Sequence, residues 1–126
     1  MIILTLEQIL EIHALVVETT GGSAGLKDLG RLEAALATQT QNVFGEELYR
    51  SITDKAAALT RGIIADHAFV DGNKRTAMVA GITLLELNGY SFGGQVGQIE
   101  DFAVSIAVKH IDVPQISEWF RHHTTT

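Results

Sequence analysis

The stretch His67-Ala68-Phe69-Val70-Asp71-Gly72-Asn73-Lys74-Arg75-Thr76 separates two long apolar segments, Ser51 to Asp66 and Lys74 to Asn88. Both flanks read as helices. Ile52, Ala56, Leu59 and Ile63 recur at i, i+4, i+7 and i+11, and Ala57, Thr60 and Ile64 widen that stripe. A helix apolar over so much of its surface belongs at the centre of a bundle. The second flank is expected to start at Asn73 and to stop at Asn88-Gly89. Its Ala77, Ala80, Gly81 and Thr83 are small, which lets neighbouring helices approach closely.

A turn between two helices needs far less chemistry than this one carries. Gly72 lets the chain turn sharply. Asn73 is expected to cap the helix that follows, leaving backbone N–H groups at its start. Lys74 and Arg75 then place two cations where the helix dipole favours acids. Only nine lysines and arginines exist in the chain, so an adjacent pair at this spot is notable. The arrangement makes sense if an anion docks there, and phosphate is the obvious one. His67, at the end of the preceding helix, can serve as a general base near neutral pH. Asp71 can hold a divalent cation. Base, carboxylate and phosphate cradle together suit transfer of part of a nucleotide to a hydroxyl, a reaction that depends on positioning and charge stabilisation.

Working outward, Thr5-Leu6-Glu7-Gln8 reads as a capping box opening a first helix. Leu6, Ile9, Leu10, His13, Val16 and Val17 form its apolar stripe, and Gly21-Gly22 ends it. His13 on that stripe reads as a packed histidine bonded to a neighbour. Asp28 caps a second helix with Leu29, Leu32, Ala35 and Leu36 on its inner face. Gln39 to Glu47 is polar and irregular apart from Val43-Phe44. Ser51-Ile52-Thr53-Asp54 opens the central helix, and Phe69 and Val70 are the expected anchors of the loop. Tyr90 to Gly97 reads as a loop whose glycines do not match a dinucleotide fingerprint. Ile99, Phe102, Ala103, Ile106 and Ala107 make a fifth helix. Asp112-Val113-Pro114-Gln115 caps a sixth, packed through Val113, Ile116 and Phe120. Trp119 is either core or an exposed contact. His122 to Thr126 reads as a frayed tail, its two histidines at most a weak metal site. Strand signals are almost absent. The expected fold is an all-α helical bundle of about six helices forming one domain over 1–126.

The central run resembles the signature of the Fic/Doc superfamily, roughly His-x-Phe-x-(Asp/Glu)-Gly-Asn-(Gly/Lys)-Arg, through His67, Phe69, Asp71, Gly72, Asn73, Lys74 and Arg75. Gly21-Gly22, Gly25-Leu26-Lys27-Asp28 through Leu32-Glu33-Ala34-Ala35-Leu36, Leu48-Tyr49, Ala56-Ala57 and Leu87-Asn88-Gly89-Tyr90 look like the Doc (death-on-curing) toxin branch. The resemblance implies a short flap before the central helix, over the active-site groove, docking the target's backbone. The competing reading of that region is a plain surface loop with Phe44 folded onto the core.

The resemblance further implies roles. His67 would be the general base, and Asp71 would hold Mg²⁺. Gly72, Asn73 and the nearby N–H groups would bind ATP phosphates, with Lys74 and Arg75 stabilising the charge on the transferred group. The Fic branch has Gly where this chain has Lys74, and a second Arg where this chain has Met78. A long cation fills the pocket for a β-phosphate, and loss of the second Arg removes a diphosphate clamp. Both departures favour transfer of the γ-phosphate over AMP. The resemblance implies a Ser/Thr kinase toxin acting on elongation factor Tu and halting translation. It also implies neutralisation in trans by the C-terminal segment of a Phd-type antitoxin, since no fused inhibitory helix of the Fic pattern is present. Alternatives are a Fic-type AMP transferase and a catalytically inactive binding module.

Composition narrows the classes. With 46% apolar and 19% charged residues the chain is an ordinary globular one. It has no cysteine, which excludes disulfides and thiolate metal sites and fits a cytoplasmic location. A net charge of −6 argues against direct nucleic-acid binding. No run of about 18 apolar residues exists, so no membrane span is expected, and the first residues lack a signal peptide's basic start.

Overall fold

In a computed structural model describing residues 1–126, local sequence sets the ends of almost every helix. Helix α1 (Leu6–Thr20) opens on the capping box: Thr5 Oγ1 accepts from Gln8 N at 3.2 Å, and Gln8 Oε1 accepts from Thr5 N at 2.9 Å. It closes at Gly21, whose φ of 76° is left-handed. Asp28 caps α2 (Leu29–Ala37), Ser51 caps α3 (Ile52–Asp66) and Asp112 caps α6 (Val113–His122). Between them lie α4 (Asn73–Leu87) and α5 (Val96–Lys109).

The central helix is α3, which packs against α2, α4, α5 and α6, while α1 lies on α4. Every α3 residue from Ile52 to Thr60 except Asp54 is buried. The core runs through Ile9, Leu32, Leu59, Ile63, Met78, Leu84, Leu85, Ile116 and Phe120. Small residues permit this closeness. A Cβ on Gly81 would stand 2.3 Å from Thr60 Oγ1 and 2.8 Å from the Phe120 ring. Thr60 Oγ1 meanwhile donates to the Ala77 carbonyl at 3.1 Å, joining α3 to α4 inside the core. No helix is long and apolar enough to cross a membrane.

Some expectations fail at the surface. Leu10 and Leu29 are exposed, because they lie off the faces that α1 and α2 bury through Ile9, His13 and Leu32. Val70 is also exposed. Phe69 pairs with Leu26 in an antiparallel bridge, and successive side chains of an extended segment point to opposite sides. Phe69 therefore goes in, and Val70 lies over Gly25. Trp119 is half-buried, stacked on Phe102 and His123.

Two short strand pairs escape the sequence reading. β1 (Asn42–Val43) and β2 (Glu46–Glu47) make a hairpin before α3, at the expected place of the flap. Phe44 and Gly45 form its turn with φ of 51° and 83°. Phe44 does not fold onto the core; its side chain is fully exposed. The hairpin's foot is held instead by Lys55, a buried cation on α3. Its Nζ donates to the Gln39 carbonyl at 2.6 Å and to Glu47 Oε1 at 2.9 Å. The expected frayed tail is partly ordered: β4 (Thr124–Thr125) pairs with β3 (Ser91–Phe92), and His123 Nδ1–H donates to the Trp119 carbonyl.

Candidate active site

The residues from His67 to Arg75 form the turn between α3 and α4, and three parts of the chain mould it. Asn73 does the first part from within. It does not cap α4 as expected; the cap is Gly72, at φ 78° and with no side-chain bond. Asn73 is the first helical residue and is buried. Its amide accepts from Phe69 N at 3.0 Å and donates to Phe69 O at 2.9 Å, closing the loop on itself. This carboxamide can satisfy both backbone groups of one residue, which explains an Asn four positions after Phe69 better than capping does.

The loop between α1 and α2 makes the second contact. Ala68 O accepts from Lys27 N and Asp28 N, and Val70 N donates to Gly25 O. Asp71 Oδ2 accepts from Ser23 N at 2.9 Å. Gly22 is glycine where its Cβ would stand 3.2 Å from that of Asp71. Helix α1 makes the third contact. The His13 ring lies 3.7 Å from the Phe69 ring at an interplanar angle of 11°, and its Nε2 is 2.8 Å from the Asp71 carbonyl. The expectation of a packed, bonded histidine is met, and its partner is the loop itself.

This framework presents the chemically active groups. His67 ends α3 with φ 48° and is exposed, its imidazole without a partner in the chain. A non-glycine residue held in this region is uncommon, and such strain concentrates at functional sites. His67 borders a cleft of about 190 Å³ between α3 and α5, shared with Arg61, Ile64, Ile106 and His110. The first bond of α4 runs from Thr76 N to Gly72 O, so the N–H groups of Asn73, Lys74 and Arg75 have no helical acceptor. Lys74 is exposed. Arg75 is half-buried and ion-paired with Glu100 of α5. Lys74, Arg75 and Glu100 border an apolar groove of about 450 Å³ between α4 and α5, with Val79, Val96 and Val104. Helix α5 thus walls both openings.

A model described as the Fic/DOC family matches residues 3–85. The chain belongs to the Fic/Doc family. It is 38% identical over 99 residues to Toxin Doc of Mycolicibacterium smegmatis, across 77% of this chain and 76% of that protein. It is 27% identical over 115 residues to Protein kinase doc of Escherichia phage P1, across 91% and 90% of the two. Both relatives lie in the Doc branch. The Fic/Doc loop was legible from its motif, whereas the tie of His13 to that loop and the parts played by Ser23, Lys55 and Glu100 were not. They come from four separate elements and share no spacing with the loop. Glu100 lies beyond the stretch that the family model matches.

Proposed function

We propose that this protein is the toxin of a toxin–antitoxin pair and transfers the γ-phosphate of ATP to a Ser or Thr hydroxyl of a protein in translation, elongation factor Tu by resemblance. The observation that carries this reading is the set of unpaired N–H groups at the start of α4, directly beside Lys74 and Arg75 and at the far end of the loop that His67 opens. The names of the two relatives support it: one is a toxin, the other a protein kinase.

Each residue has a role in that reaction. His67 takes the proton of the acceptor hydroxyl. The acceptor oxygen bonds to the γ-phosphorus, the bond from that phosphorus to the β,γ-bridging oxygen breaks, and ADP leaves. Lys74, Arg75 and the N–H groups of Gly72 and Asn73 hold the phosphate oxygens and offset their charge. A bound Mg²⁺ would neutralise phosphate charge, and Asp71 would hold it. One carboxylate suits this ion, which is commonly bound through one or two carboxylates and the substrate's phosphates. Asp71 Oδ2 already accepts from Ser23, which orients the carboxylate and leaves Oδ1 without a protein donor.

Met78 bears on which group moves. It is fully buried on α4, within the core, so this position offers the nucleotide no second cation. That supports phosphate transfer over AMP transfer. The inhibitor in this reading is a Phd-type antitoxin, whose C-terminal segment binds in trans.

A paired labelling assay tests the reading. The purified protein, Mg²⁺ and a bacterial lysate receive ATP labelled on the γ- or the α-phosphate. Label on a protein band from γ-labelled ATP alone is the expected result. Label from α-labelled ATP alone would mean AMP transfer and overturn the reading of Lys74 and Met78. No label from either would leave a binding module.

A further inference from the structure

We infer that His13, on α1 and outside the signature loop, is a positioning residue that aims the Gly72 N–H into the anion cradle. The inference rests on the reading of residues 67–75 as the reacting loop. His13 is 3% exposed, yet its one polar contact is with the main chain of the loop. A carbonyl only accepts, so the Nε2 that lies 2.8 Å from Asp71 O must carry the hydrogen.

The consequence follows from peptide geometry. All peptide bonds in the chain are trans, so the carbonyl of Asp71 and the N–H of Gly72 point in opposite directions. Drawing that carbonyl onto α1 turns the Gly72 N–H away from α1. This N–H makes no backbone bond, and neither do those of Asn73 and Lys74 that follow it. Successive unpaired N–H groups make a concavity for an anion. The direction of the first is set by His13.

The rest of the α1 face resists any rearrangement. The ring of His13 is stacked on Phe69, whose own N–H and carbonyl are clamped by Asn73. Next to that carbonyl in the chain, Gly72 lies on Val16 and Val17. A Cβ at position 72 would stand 3.3 Å and 3.4 Å from their methyl groups and 3.8 Å from His13 Cδ2. His13, Val16 and Val17 together are a template against which residues 69–72 are cast. A histidine suits the position because it offers a stacking plane and a fixed donor in one side chain.

The test compares His13→Phe, which keeps the ring, with His13→Gln, which keeps an N–H donor. The ¹⁵N-labelled full-length protein is titrated with ATP and Mg²⁺ while the Gly72, Asn73 and Lys74 amides are followed. In the parent the Gly72 amide should shift on titration. In His13→Phe that response should vanish, and ATP affinity should fall about tenfold, the scale of one hydrogen bond to a charged group. Phosphate transfer should fall on the order of 10–100-fold in kcat with the acceptor's KM unchanged, as for a misplaced reacting group. His13→Gln should recover most of both. Equal losses in the two variants, or a His13→Phe protein with parental Gly72 response and affinity, would overturn the assignment. Should His13→Phe fail to fold, the parent's own imidazole decides: an Nε2–H proton protected from exchange supports the inference, and an Nδ1–H tautomer refutes it. If the parent shows no transfer, the Gly72 arm still judges His13, and only the proposed function falls.

Discussion

At the scale of single residues, two positions separate chemistry from architecture. His67 has an exposed imidazole, a left-handed backbone and no partner in the chain, so it contributes little to the core. His67→Ala is expected to lower turnover by on the order of 100–10,000-fold, the range for a general base, with the thermal midpoint nearly unchanged. Near-parental turnover in a labelling assay would remove His67 from its role. Gly81 is the reverse case. It is remote from the loop, but the space for its missing methyl is already filled by Thr60 and Phe120. Gly81→Ala should therefore cost about 1–3 kcal/mol by overpacking, although alanine is the better helix former. Urea denaturation would read this directly, and a stabilised variant would contradict the packing of α3, α4 and α6.

At the scale of elements, the hairpin of β1 and β2 owes its stance to Lys55 rather than to its own two-residue strands. So short a hairpin is marginal in water. The side chain of Lys55 is 3% exposed, and its ammonium reaches both the chain entering the hairpin, at Gln39, and the strand leaving it, at Glu47. Lys55→Met keeps the length of the stem but releases both ends. Chymotrypsin should then cut after the fully exposed Phe44 markedly faster than in the parent, while the helices stay protected. Equal cleavage rates would show that the hairpin is held by something else. Helix α6 offers a milder test of capping. Asp112 Oδ1 accepts from Gln115 N at 3.2 Å, and Asp112→Ala should cost about 0.5–2 kcal/mol in the same denaturation experiment.

At the scale of the whole molecule, one core runs from α1 through α3 and α4 to α6, and the candidate site is built on it. Phe69 belongs both to that core and to the loop, so the site and the fold share a residue. The molecule should accordingly unfold as a unit. Trp119 fluorescence, which senses the α5–α6 contact with Phe102, should report the same midpoint as helical circular dichroism. Phe120→Ala should lower both midpoints together, by about 3–5 kcal/mol of stability. Separate transitions would mean that α5 and α6 come away before the rest.

Much of this was readable in the chain. Caps at Thr5, Asp28, Ser51 and Asp112, stops at Gly21 and Gly89, and the apolar period of α3 depend on neighbours three or four residues apart, and they appear where the sequence placed them. The loop was legible for a similar reason: its imidazole, carboxylate and cations lie within nine consecutive residues, so no folding is needed to see them together. Tertiary structure decided the remainder. Asn73 looked like a cap until Phe69 folded within its reach. Phe44 stood between two readings, a flap residue or one folded onto the core, until a turn carried it into solvent. His13 was one histidine on an apolar stripe until α1 came to lie beneath the carbonyl of a residue 58 positions away. Contacts of that kind are set by how helices pack, and packing depends on the whole set of side chains at once, so no local pattern announces them.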